Sequence, residues 1–292
     1  MNLKLLLTPL LATTVLVAAC GGTDTPDAPT VSTKPVSEIA VPPDLEAKGT
    51  LTIGTDASYP PIEFMAADGK TVEGLDADLG KALAATLGLK AEVQHATFDS
   101  ILPGLTTKKF DVGMSGFTDT KEREKTVDFV TYFSAGTSFF VKAQEGGTVV
   151  NTLDDLCGRT LALQKGTAQV EDAAAQQKQC AAAGKPAIKV MTFPDQPGAN
   201  LAVVSGRADV GMTDSPVAAY QAKQSNGQLA VVGEPYGSAP YGIALPKGSP
   251  LATAIRAALK ALIVDGTYGE ILAKYGIEAG AITEPGINQA AE

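Results

Sequence analysis

The tetrapeptide Asp-Val-Gly-Met occurs twice, at residues 111–114 and 209–212, each time after a helix-like segment and before a polar loop. The wider frames also correspond: Lys109-Phe110-Asp111-Val112-Gly113-Met114-Ser115 echoes Arg207-Ala208-Asp209-Val210-Gly211-Met212-Thr213. A strand-like unit repeated after about a hundred residues implies two lobes of similar plan. Around it, short apolar runs alternate with helical periodicity. Residues 51–53, 91–93, 112–114, 161–163, 188–191, 210–212 and 229–232 read as strands. Leu75, Leu79, Leu83 and Leu87 recur every fourth residue, a helix that Gly88 can end, and 168–183 and 198–205 read as further helices. Such alternation describes an α/β fold with mostly parallel sheets. In open α/β sheets ligands bind beyond the carboxyl ends of strands. Residues 115–123 and 213–215 are therefore where a site is expected.

The N-terminus describes an address. Lys4 precedes an apolar stretch over 5–17, which is too short and weakly flanked for a stable membrane span and fits a signal peptide over 1–19. Val17-Ala18-Ala19-Cys20 resembles a bacterial lipobox, in which Cys20 would be acylated; the alternative is an ordinary cleavage site that carries a cysteine. Residues 20–43 are rich in Thr, Pro, Ser and Asp and cannot bury enough apolar surface to order themselves. They read as a lipidated, flexible tether with a reach of about 25–30 Å.

Some 250 residues remain, enough for two domains or one large one. The net charge of −9 argues against a nucleic-acid partner and gives no reason to expect an anionic membrane surface, which leaves the N-terminal lipid as the sole membrane contact. With Cys20 acylated, Cys157 and Cys180 are an even pair in an exported chain. They are expected to form a disulfide across about 23 residues, worth on the order of 3 kcal/mol, with two buried thiols as the alternative.

Catalytic signatures are absent. The one histidine, His95, stands apart from any Cys or carboxylate cluster and reads as a surface or half-buried side chain. No metal-ligand spacing, phosphate loop, nucleophile elbow or dinucleotide fingerprint occurs, so neither metal nor cofactor is expected. Arg123 lies in a charge run over 118–125 that by itself fits a solvated helix face. Its functional alternative has Thr120 capping a short helix, so that the guanidinium in the first turn could grip a carboxylate with two parallel hydrogen bonds. Asp214 follows the second repeat; it fits either a plain helix cap or an acceptor for an ammonium group. An Arg on one lobe and an Asp on the other would together describe a zwitterion.

Several motifs, in order over residues 45–277, carry a resemblance. They are Tyr59-Pro60-Pro61-Ile62-Glu63-Phe64, Gly74-Leu75-Asp76-Ala77-Asp78-Leu79, the stretch 98–105, Gly116-Phe117-Thr118-Asp119-Thr120-Lys121-Glu122-Arg123, Leu163-Gln164-Lys165-Gly166-Thr167, and Tyr241-Gly242-Ile243-Ala244-Leu245. The chain resembles the polar amino-acid-binding (family 3) solute-binding proteins of ABC importers, with Ala77 where a larger aliphatic residue or Thr is usual. The resemblance implies a periplasmic-binding-protein-like α/β fold: two similar lobes with mostly parallel sheets, joined by a two-strand hinge. Lobe 1 would comprise 45–135 plus 239–282 and lobe 2 142–232, with crossings at 136–141 and 233–238. It implies that Arg123 clamps the α-carboxylate of an amino-acid-like ligand, helped by Thr118 and the main chain near Gly116. Gly166, Thr167 and Ala168 would offer main-chain N–H groups at a helix start, and Asp214 would take the α-ammonium. Tyr59 and Phe98 would pack the ligand side chain, with Asp56 near its tip; packing in the core is the plainer reading of the two aromatics. The helix start at 74–79 is expected to be structural only. The implied partner is an ABC permease, with the protein a monomer on the outer side of the membrane. Two rival classes share the scaffold: an extracytoplasmic enzyme acting on a small carboxylate, with Glu63 or Glu171 as acid, and a ligand sensor.

Overall fold

A computed structural model describes residues 39–143 and 149–290. The expected signal peptide, Cys20 and most of the tether lie outside the described residues, all of which belong to one compact unit. Ile39 and Val41 already pack against the first lobe's core, ahead of α1 (Pro43–Lys48).

The first lobe opens with β1 (Thr50–Thr55) and a small antiparallel sheet of β2 (Ser58–Tyr59), β3 (Glu63–Met65) and β4 (Val72–Glu73). Then come α2 (Leu75–Thr86), β5 (Lys90–His95), α3 (Phe98–Thr106) and β6 (Val112–Gly113). The long β7 (Val127–Lys142) leads into β8 (Thr160–Gln164), α4 (Ala168–Ala182), β9 (Lys189–Phe193), α5 (Gln196–Val204), β10 (Val210–Asp214) and α6 (Ser215–Gln224). A second long strand, β11 (Leu229–Pro246), returns to the first lobe, which α7 (Leu251–Val264) and α8 (Thr267–Tyr275) complete. The order β5-β1-β6-β11-β7-β10-β8-β9 makes one eight-stranded sheet. Its outer strands pair in parallel within each lobe, while β7 and β11 run antiparallel from lobe to lobe and form the two-strand hinge.

The repeated motif occupies the same place in each lobe. β6 pairs in parallel with β1 and antiparallel with β11; β10 pairs in parallel with β8 and antiparallel with β7. Even the aspartates do the same work. Asp111 Oδ2 accepts the Thr52 N–H at 2.7 Å while its own N–H donates to the Thr52 carbonyl. Asp209 does the same at Thr160, with its Oδ2 2.8 Å from the Thr160 nitrogen. A β-carbon on Gly211 would run into the Phe140 ring on β7, which explains a glycine inside a buried strand.

Local rules account for the helices. Leu75, Leu79 and Leu83 are fully buried in the first lobe's core and Leu87 nearly so. Gly74 enters α2 at φ 117°, where any β-carbon would strike the Ile62 carbonyl. In the second lobe Leu161, Leu163, Val210 and Met212 meet Ala173 and Cys180 of α4. The Cys157–Cys180 disulfide ties α4 to the turn ahead of β8. No helix among the described residues is long and apolar enough to cross a membrane.

Candidate functional site

Four strand ends converge between the lobes, as strands of an open α/β sheet allow. β1 delivers Asp56, β6 delivers Ser115 and Gly116, β8 delivers Gln164 and β10 delivers Thr213 and Asp214. With Tyr59, Phe98, Thr118, Arg123, Thr167 and Ala168, most of these residues line a narrow space between the lobes, a cavity of only about 10 Å³.

Arg123 does not sit on a solvated face: only 8% of it is exposed. It opens a 3-10 turn, Arg123–Lys125, whose N-cap residue is Glu122 and not the expected Thr120, although Thr120 Oγ1 still accepts the Arg123 N–H at 3.2 Å. The guanidinium donates to the Thr118 carbonyl at 2.7 Å and, across the cleft, to the Gly166 carbonyl at 3.0 Å. Its carbon lies 5.7 Å from the ring centres of both Phe98 and Phe117, which stack on each other at 4.6 Å. Burial lowers its pKa, and the charges of Glu171, Asp214 and Asp119 work against that fall. Neutral carbonyls are thus its hydrogen-bond acceptors, and a buried cation so held has capacity for a carboxylate.

Asp214 is the N-cap residue of α6 by position, yet its side chain makes no cap bond. Oδ1 accepts Gln169 Nε2 at 2.8 Å and Oδ2 accepts the Tyr59 hydroxyl at 3.0 Å. Tyr59 is also 2.5 Å from Thr213 Oγ1 and accepts the Asp214 N–H at 3.0 Å, so one phenol from the first lobe closes on three groups of the second. Burial raises the Asp214 pKa; hydrogen bonds and the Arg123 charge oppose it.

Asp56 is a third buried carboxylate. It accepts the Phe98 N–H at 3.1 Å, the Ser58 hydroxyl at 2.9 Å and, from the other lobe, Gln164 Nε2 at 2.8 Å. Burial raises its pKa, and the hydrogen bonds and nearby His95 restrain the rise. His95 itself is half exposed and accepts the Ala57 N–H on Nδ1 at 3.1 Å, in keeping with its reading as a surface residue.

Beneath this layer lies a support. Gly116 turns its N–H to Asp76 Oδ2 at 2.9 Å, and Ser115 bridges Glu63 Oε1 and the Asp56 N–H. Burial and the Asp76 charge push the Glu63 pKa well up, and burial pushes Asp76 up to about 6 against hydrogen bonds from Tyr132, Gly116 and Glu63. The helix start at 74–79 therefore holds up the site floor besides shaping α2.

Every pocket residue expected from the sequence is brought to this space or its wall. Gly166 contributes its carbonyl to Arg123, and Thr167 caps β8 by donating to the Gln164 carbonyl at 2.9 Å, just ahead of α4. Gln164, Gln169 and Asp76 were not expected here, whereas Ser115 lies in the expected 115–123 stretch. A usable signal existed for Gln164, the last residue of a predicted parallel strand.

The sequence profile of the bacterial extracellular solute-binding proteins, family 3, matches residues 51–278. The arginine-binding protein ArgT of Corynebacterium glutamicum is 38% identical over 258 residues, covering 87% of this chain and 84% of that protein. An ancestral arginine-binding protein solved with arginine superposes with a TM-score of 0.71 at 39% identity, over 78% of this chain and 98% of that one. The ancestral amino acid-binding protein AncCDT-1, a precursor of cyclohexadienyl dehydratase, gives a TM-score of 0.68 at 40% identity, over 80% and 97% of the two chains. With its paired lobes, crossing strands and charged residues gathered in the cleft, the chain belongs to the family 3 extracellular solute-binding proteins.

Proposed function

We propose that this protein captures an α-amino acid with a long cationic side chain, of the arginine type, and delivers it to an ABC permease. The observation that carries the reading is the pairing of a buried Arg123 with a buried Asp214 across the cleft, each held by neutral groups. An α-carboxylate on Arg123 and an α-ammonium on Asp214 would replace those bonds with stronger, charge-assisted ones. The open form separates the two partners, so the ligand favours closure by its differential affinity. Gly116, Thr118 and the α4 start at Gly166, Thr167 and Ala168 surround the carboxylate end. Phe98 and Tyr59 flank the side chain, and Asp56 meets its cationic tip. The arginine-binding names of two relatives point the same way.

The protein acts as a monomer, held outside the cell by a lipid on Cys20. No reaction is assigned to it: Glu63 faces the cleft but is engaged with Ser115 and Asp76, so the bound molecule should be recovered unchanged.

Thermal shifts of the ligand-stripped globule with the twenty amino acids test this reading. A ligand present at 100 times its Kd adds about 2.7 kcal/mol of stability. L-Arginine should give the largest shift, and Arg123→Ala should weaken its binding by about 2–5 kcal/mol. Wild-type affinity in that variant would sink the assignment.

A further inference from the structure

Strand β7 has β11 along one side, but β10 covers the other side only at residues 137–140. In the first lobe that second side would be an open edge. Within residues 281–290, Gly286 to Asn288 run back along it. Thr131 N–H donates to the Gly286 carbonyl and Asn288 N–H to the Phe129 carbonyl, each at 3.0 Å, and Val130 bridges to Ile287. The Asn288 side chain accepts the Phe129 N–H at 2.9 Å and so finishes the edge.

The strap then goes further than an edge cover needs. Gln289 N–H donates to Asp119 Oδ2 at 2.6 Å, and Ala290 N–H donates to Glu124 Oε1 at 3.2 Å. In the chain Asp119 precedes Arg123 and Glu124 follows it within the same 3-10 turn. On the opposite side the turn is held by β11, through Asp119 N–H to the Pro240 carbonyl and Gly242 N–H to the Phe117 carbonyl, both 2.8 Å. Asp119 is almost wholly buried, so its carboxyl depends on the donors within reach. Its charged neighbours are Glu124 and Lys121, which pair with each other at 3.3 Å; burial first, and then Glu124, push Asp119 up to about 6 against the Gln289 N–H and Lys121. The strap is the side of this clamp that supplies main-chain donors to both carboxyls.

We propose that residues 288–290 are a positioning device for ligand binding: their main-chain donors pin Asp119 and Glu124 and thereby keep Arg123 aimed into the cleft. The inference rests on the reading of Arg123 as the carboxylate clamp. A residue pinned this way loses less freedom when it binds, so loosening the pin weakens affinity without removing any ligand contact.

Two variants of the full chain separate the roles. Gln289→Pro removes the donor N–H and disfavours the left-handed Asn288 before it, with no residue of the Arg123 turn substituted. Asp119→Ala removes the acceptor, and Asp119→Asn keeps one. Calorimetric titration with L-arginine should show Gln289→Pro and Asp119→Ala weaker by tenfold or more, with Asp119→Asn recovering most of the loss. Hydrogen exchange should quicken at the Asp119 and Gly242 amides in the two weakened variants, while second-lobe amides keep their rates. Affinities within twofold of wild type, or unchanged exchange at those amides, would overturn the proposal. Should the wild type itself not bind L-arginine, the ligand reading fails separately, and the exchange rates alone decide the strap.

Discussion

Single residues here carry charge at the edge of what a dry site tolerates. Asp76 and Asp119 are both pushed up to about 6, above the ordinary aspartate value of 3.8, chiefly by burial. The consequence for stability has a definite sign. A carboxyl whose folded pKa is raised favours the fold while both states are protonated, below about pH 4, and that contribution is lost as pH rises through 6. Glu63, Asp56 and Asp214 are shifted the same way. Asp78 and Asp128 are lowered, so they act only as pH falls through the acid end of the range. The melting temperature of the ligand-stripped protein should therefore decline between pH 4.5 and 7, and Asp76→Asn, which keeps an acceptor for Gly116, should flatten that slope. A melting temperature that climbs over this window would contradict the buried-acid account. These shifts could not be read from sequence, because Asp76 looks like any first-turn helix acid until Gly116 and Glu63 are folded onto it. Arg123 was half legible: a turn held by Thr120 was foreseeable, whereas its burial depends on Phe98 and Phe117 arriving from α3 and the β6 exit.

At the scale of elements, periodicity did most of the work. The four-residue recurrence of leucines marks α2 to its last turn, and the apolar runs mark β8 and β10. What periodicity does not encode is length through a hinge. β11 continues far beyond its predicted apolar run at 229–232, and β7, where only a crossing at 136–141 was expected, is strand from Val127 to Lys142, because each keeps pairing with the other as both pass between lobes. The two copies of Asp-Val-Gly-Met gain a physical meaning from their neighbours: in both, aspartate docks the parallel strand beside it, while glycine admits the Ile101 side chain in the first copy and the Phe140 ring in the second. Gly211→Ala should therefore overpack the β10–β7 seam at a cost of about 1–3 kcal/mol, read as a lowered melting temperature with the binding residues untouched. An unchanged melting temperature would mean that Phe140 can turn aside freely. Gln164 and Gln169 were missed because their partners, Asp56 and Asp214, lie 108 and 45 positions away in the chain, beyond the reach of any local pattern.

For the whole molecule, closure is visible as a set of bonds between lobes: Tyr59 to Asp214 and Thr213, Gln164 to Asp56, Arg123 to Gly166, and the outer Lys165–Asp99 ion pair at 2.8 Å. The two-lobed plan could be anticipated from an internal repeat; how tightly the lobes meet could not, since that depends on pairings between strand ends far apart in sequence. The double crossing has a further consequence, for the order of assembly. A polypeptide emerging from its N-terminus presents β1, β5 and β6 early, yet β6 finds its antiparallel neighbour only in β11, and the open edge of β7 waits for Gly286 to Asn288. The second lobe suffers no such delay, because β7 through β10 are consecutive. Pulse-labelled refolding should then protect amides of β8 and β10 before those of β1 and β6; the reverse order would mean that the early strands hold together unaided. The first lobe to be synthesised is then the last to be finished, and until residues 286–290 arrive the half of the site that holds Arg123 lacks the wall they provide.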